Sequence, residues 1–154
     1  FAGFALSFFV IAFYWVLHRR VFLYIEEHDR PVVWLNVLFL FLVASLPYAT
    51  SFFSTYPTRL GVVFYAGFMS TTGFVLAALW AYAARADIVH RGITSRAIQI
   101  QALRFLVTPL VFALSMALAV LSAKLAVAFW LLLVPLNGVF ESRFAAAIAD
   151  EPGL

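Results

Sequence analysis

The sequence predicts an all-α protein, a polytopic bundle of transmembrane helices forming one domain over residues 1–154. Three observations predict it. Hydrophobic residues make up 66% of the chain and charged residues only 11%, with a mean hydropathy of +1.03. A soluble domain is roughly 45–50% apolar and about 25% charged. The apolar residues fall into five continuous runs, with no strand-like alternation of polar and apolar positions. Continuous runs in lipid read as helices, because only helices and closed barrels satisfy every backbone group there. None of the five runs contains an Asp, Glu, Lys or Arg.

A hydrocarbon core about 30 Å thick takes roughly 17–25 apolar residues of helix. Run A is Phe1–Leu17, run B is Val32–Phe53 and run C is Leu60–Ala84. Run D is Phe105–Leu121 and run E is Leu125–Phe140, the shortest, interrupted by Pro135 and Asn137. Pro31 after Asp29-Arg30 suits the first turn of run B, where a missing N–H costs nothing. The polar stretch Ser54–Thr58 reads as a turn. The longest break is Arg85–Arg104, in which Thr94-Ser95 is placed to cap an amphipathic stretch carrying Ala97, Ile100 and Leu103.

Charge placement gives an orientation. Eight basic residues (Arg19, Arg20, Arg30, Arg85, Arg91, Arg96, Arg104 and Arg143) flank one side of the runs, and only Arg59 and Lys124 flank the other. By the positive-inside rule the A–B loop, the C–D loop and the C-terminal end are cytoplasmic. Phe1 then faces outward with no basic leader before it, which predicts a further upstream helix and six spans in the native subunit. The net charge of +3 is therefore membrane-flanking charge, and a nucleic-acid partner is not expected.

Few residues invite chemistry. There are no cysteines, so thiolate metal sites and disulfides are excluded. No P-loop, nucleophile elbow or HExxH occurs, and Glu26-Glu27 and Asp150-Glu151 read as solvated pairs, so neither an enzyme nor a cofactor is expected. In run C, Ala66, Ser70, Gly73, Ala77 and Ala81 share a small-residue face, which favours close helix packing. The hydroxyls Ser70, Thr71 and Thr72 are the alternative, a polar face along an ion path. His90 reads as a solvated loop residue, and His28, among Glu26, Glu27 and Asp29, as a cytoplasmic surface residue. His18 stands three residues after Trp15, on one helix face, and Asn36 lies at similar depth in run B. Composition alone makes these an interfacial Trp and a snorkelling His. Two facing polar residues at a helix end nonetheless need a partner.

The pattern Trp15-x-x-His18, Phe22, Asp29-Arg30, Trp34-Leu35-Asn36 and Leu46-Pro47-Tyr48 resembles the second and third helices of the transmembrane protein 175 family, which are bacterial and endolysosomal potassium channels. Runs C to E are similar to it in length and spacing, with few distinctive residues. The resemblance implies six-helix subunits in the bacterial cell membrane, in contact with lipid and assembled as homotetramers around a central pore. It assigns the pore to a first helix with an Arg-x-x-x-Phe-Ser-Asp signature and an aliphatic constriction, a signature these 154 residues do not contain. It also implies that the signature's Asp is tied to Trp15, His18 and Asn36, making them a structural network that supports the pore helix. The implied function is a potassium-permeable cation channel conducting passively. A non-conducting scaffold or a small-molecule-binding bundle is the alternative, suited by the 18 phenylalanines and the small face of run C.

Overall fold

Long apolar stretches propagate as helix until a capping residue or a proline interrupts the backbone ladder, and the punctuation of this sequence sets most of the observed ends. The computed structural model describes residues 2–27, 29–89 and 93–149, without the side chains of residues 2–4, 6, 148 and 149. His28, His90, Arg91 and the pair Asp150-Glu151 lie outside the described residues. The helices are α1 (Ala2–Tyr24), α2 (Arg30–Thr55), α3 (Arg59–Arg85), α4 (Ser95–Leu121), α5 (Ala123–Phe129) and α6 (Leu133–Ala149). A 3-10 turn, Trp130–Leu132, joins α5 to α6. Among the described residues, α2, α3, α4 and the rod Ala123–Ala147 are long and apolar enough to span a membrane. The chain is an all-α integral membrane bundle.

The caps explain the boundaries. Asp29 precedes α2 and its Oδ1 accepts from Val32 N at 3.0 Å, with Pro31 in the first turn as its fixed φ favours. The other Asp29 oxygen accepts from Tyr82 Oη, which ties the start of α2 to the end of α3. Helix α3 ends in a left-handed residue, Asp87 at φ 57°, with Ile88 N donating back to Ala83 O at 3.2 Å. That six-to-one bond after a left-handed residue is a Schellman stop. Thr94 caps α4 by accepting from Ala97 N at 3.2 Å.

Three boundaries differ from expectation. Run A was expected to stop at Leu17, yet α1 carries on through Arg19 and Arg20 to Tyr24. Charges mark where the hydrocarbon ends, not where the helix does. For the same reason the break expected at 85–104 shrinks to 86–94, and Arg104 falls inside α4. The amphipathic face expected there is realised in part: Ala97 is buried and Ile100 half-buried, but Leu103 is exposed, and Gln101 and Arg104 are buried beside them. Run E is not one regular helix but α5, a 3-10 turn and α6. Pro135 has no N–H to give to the carbonyl one turn earlier, and the backbone tightens there instead. The rod then continues past Phe140, so Glu141 and Arg143 are helical rather than tail.

Helix α3 is the centre of the bundle, packed against α2 and α4, with Tyr14 of α1 donating across to Met69 O at 3.0 Å. Its small face is where α4 comes closest. Ser70 Oγ donates to Pro109 O at 2.9 Å, and a Cβ placed on Gly73 would lie 2.9–3.1 Å from the Pro109 ring. Close approach of this kind is what small residues allow in lipid. The Trp130 ring of the 3-10 turn meets Phe53, Tyr65 and Phe112, and its Nε1 donates to Ser115 Oγ at 2.9 Å. That wedge holds the α5–α6 rod against α4.

Candidate functional site

Two polar clusters lie at the basic end of the bundle. The first is on the α1–α2 seam. His18 Nε2 donates to Asn36 Oδ1 at 2.7 Å, and both residues are half-buried. The imidazole is held flat against Phe39, with centroids 5.3 Å apart and planes 2° from parallel, and its other side meets Phe22 at 4.6 Å. Phe39 and Tyr14 beneath it are fully buried, so the ring stands on a rigid aromatic floor. Among the described residues the Asn36 amide nitrogen and His18 Nδ1 have no polar partner, which leaves a donor and one ring nitrogen available.

Trp15 is not drawn into this contact. It is 62% exposed and its indole N–H makes no hydrogen bond among the described residues. The hydroxyls of run C also separate. Ser70 is spent on Pro109, while Thr72, buried, and Thr71, exposed, each bond back to a carbonyl four residues earlier in their own helix, Phe68 and Gly67.

The second cluster was not foreseen from the sequence. Glu141 Oε2 of α6 accepts from Arg20 Nη1 of α1 at 2.6 Å and lies 2.5 Å from Arg104 Nη1 of α4. The Arg104 contact is close but poorly directed as a hydrogen bond, so it counts as an ion pair, and Arg104 Nε has no partner. The Arg104 side chain is only 7% exposed, against 30% for Arg20 and 43% for Glu141. One turn earlier on α4, Gln101 is fully buried with neither polar atom of its amide partnered by the protein. The three charges come from residues up to 121 positions apart, and no local spacing announces them. The one available signal was that each flanks an apolar run.

Among the described residues no group of three His, Asp or Glu side chains is placed to hold a metal ion. A cavity of about 530 Å³ opens between α1 and the α5–α6 rod, lined mainly by Phe9, Phe13, Met69, Phe112, Trp130 and Leu133.

Comparison with known proteins bears on the first cluster. Residues 1–47, which hold all of α1 and the His18–Asn36 pair, match the family described as "Endosomal/lysosomal potassium channel TMEM175". This stretch of the chain is similar to the TMEM175 family. A protein of Streptomyces collinus named as a potassium channel is 29% identical over 134 residues, 83% of this chain and 65% of that relative. One of Chamaesiphon minutus, also named as a potassium channel, is 33% identical over 89 residues, 55% of this chain and 44% of the relative. The chain thus spans less than two thirds of the length of either. No solved structure matches it. The TMEM175 match ends at Pro47, within α2, so the central α3–α4 pair and the Arg20–Glu141–Arg104 cluster extend beyond the matched stretch.

Proposed function

We propose that this chain is the scaffold of a subunit of a potassium-permeable cation channel, which conducts passively through a central pore in a homotetramer. The observation that carries the proposal is the His18–Asn36 pair, placed on an aromatic floor inside the TMEM175-matched stretch with hydrogen-bonding capacity to spare. In the resemblance, that capacity meets the carboxylate of the Arg-x-x-x-Phe-Ser-Asp signature. His18 and Asn36, with Trp15 beside them, therefore act as positioning residues that lock the pore helix, and α1 to α6 support it without lining the constriction. The membrane is the bacterial cell membrane, with the arginine-rich end of the bundle cytoplasmic, as eight of ten basic residues at one end favour.

The test is ion flux into liposomes carrying the full-length protein, driven first by a potassium gradient and then by a sodium gradient. Potassium flux well above sodium flux is expected. No flux of either ion from a folded oligomer overturns the channel and favours the second reading, a bundle that binds a small apolar molecule in the 530 Å³ cavity.

A further inference from the structure

At the basic end of the bundle, the first turn of α4 and the last turns of α6 enclose a groove of about 260 Å³. Arg96 and Arg143 line it, over a floor of Ile100, Ala146 and Ala147. Both arginines are exposed and unpaired among the described residues, unlike Arg20 and Arg104 nearby. Arg96 is also electrostatically misplaced, because the start of a helix repels cations and the first turn of α4 has no acidic residue to offset it. Two guanidiniums and a helix start converging on one concavity suit a phosphate, which arginine forks bind bidentately.

What lies below the groove identifies the source of that phosphate. Continuing from Arg96 and Ile100 along the same face of α4 come Leu103, Leu106, Leu110 and Leu114, all exposed. Their spacings of three and four residues form one unbroken apolar stripe. From Ile100 to Leu114 it runs about 21 Å at the rise of an α-helix, enough to cover the one leaflet that makes up half of a hydrocarbon core about 30 Å thick. A cationic pocket heading an apolar stripe one leaflet deep has the shape of one phospholipid.

We infer that the Arg96–Arg143 groove is a binding site for the phosphate headgroup of an anionic phospholipid whose acyl chain lies along the leucine stripe of α4. Basic pockets between spanning helices on the cytoplasmic side are where such headgroups bind. The site does not depend on the channel reading.

The test uses full-length protein in nanodiscs of phosphatidylcholine alone or mixed with phosphatidylglycerol, with retained lipid counted by native mass spectrometry. The expected result is preferential retention of phosphatidylglycerol, weakened about fivefold for each arginine removed in Arg96→Gln and Arg143→Gln. The control is Arg19→Gln with Arg85→Gln, which removes the same charge from the same end, outside the groove, and leaves the preference intact. Equal loss in the control pair, or no loss in the groove pair, overturns the site. Inorganic phosphate added to phosphatidylcholine discs should not raise the thermal midpoint. If it does so through these arginines, while phosphatidylglycerol shows no preference, the lipid assignment fails.

Discussion

Replacing Glu141 with Gln tests whether the α1–α4–α6 cluster holds the bundle shut. The substitution keeps the shape and removes the one negative charge between Arg20 and Arg104. Stranding a fully buried ion costs about 3–5 kcal/mol. Arg104 is nearly that buried, at 7% side-chain exposure, but Glu141 at 43% admits solvent to the pair. The expected loss is therefore toward the lower end, about 2–3 kcal/mol. Arg20→Gln leaves Glu141 facing Arg104 and removes only a half-wet partner, so about 0.5–1 kcal/mol is expected. Adding Arg104→Met to Glu141→Gln removes the stranded charge and recovers about 1–3 kcal/mol as coupling. The assay is equilibrium unfolding in mixed micelles titrated with SDS, followed by tryptophan fluorescence. Equal effects of Glu141→Gln and Arg20→Gln, or strict additivity in the double variant, would refute the idea that a dry cation is being neutralised.

Other substitutions probe the packing and the site. A Cβ on Gly61 would sit 1.8 Å from the Tyr56 carbonyl oxygen, on Gly73 2.9 Å from the Pro109 ring, and on Gly67 3.4 Å from the Met116 sulfur. Alanine substitutions should therefore lower the thermal midpoint in the order Gly61, Gly73, Gly67, with about 1–3 kcal/mol lost at Gly73 from overpacking. Asp87→Gly should stabilise by about 1 kcal/mol, because it relieves a left-handed residue in a stop that already has its bond to Ala83; a lower midpoint would mean that the Asp87 side chain contributes a contact of its own. Ser115→Ala removes the acceptor of the Trp130 indole and should cost about 1–3 kcal/mol, visible as a shift in indole fluorescence. His18→Ala should alter open probability or tetramer yield far more than the potassium-to-sodium ratio in single-channel recordings; intact tetramers with wild-type gating would remove His18 from its positioning role.

Much of the fold could be read directly from the residues. Runs of apolar residues free of charge locate every long helix, and Pro31 and Thr94 mark real helix starts, because both act locally on the first turn that follows them. Helix lengths were less legible, since a chain leaves the hydrocarbon before it leaves the helix, as α1 does at Arg19 and Arg20. At the α1–α2 seam, spacing brought His18 and Asn36 to similar depth, and the structure puts them in contact; the same spacing grouped Trp15 with His18, and the structure leaves its indole outward. The charge cluster was illegible because Arg20, Arg104 and Glu141 meet only through tertiary packing, and hydropathy scores each as a flank.

The reach of that cluster along the chain has a consequence for biosynthesis. Arg20 is translated before Arg104, and their shared carboxylate comes 121 positions after the first. Until α6 emerges, both guanidiniums are held by water and headgroups at the membrane surface, and α1 has no anchor to the far side of the bundle. A nascent chain therefore stays open between α1 and α4 until α6 has been delivered to close the cluster.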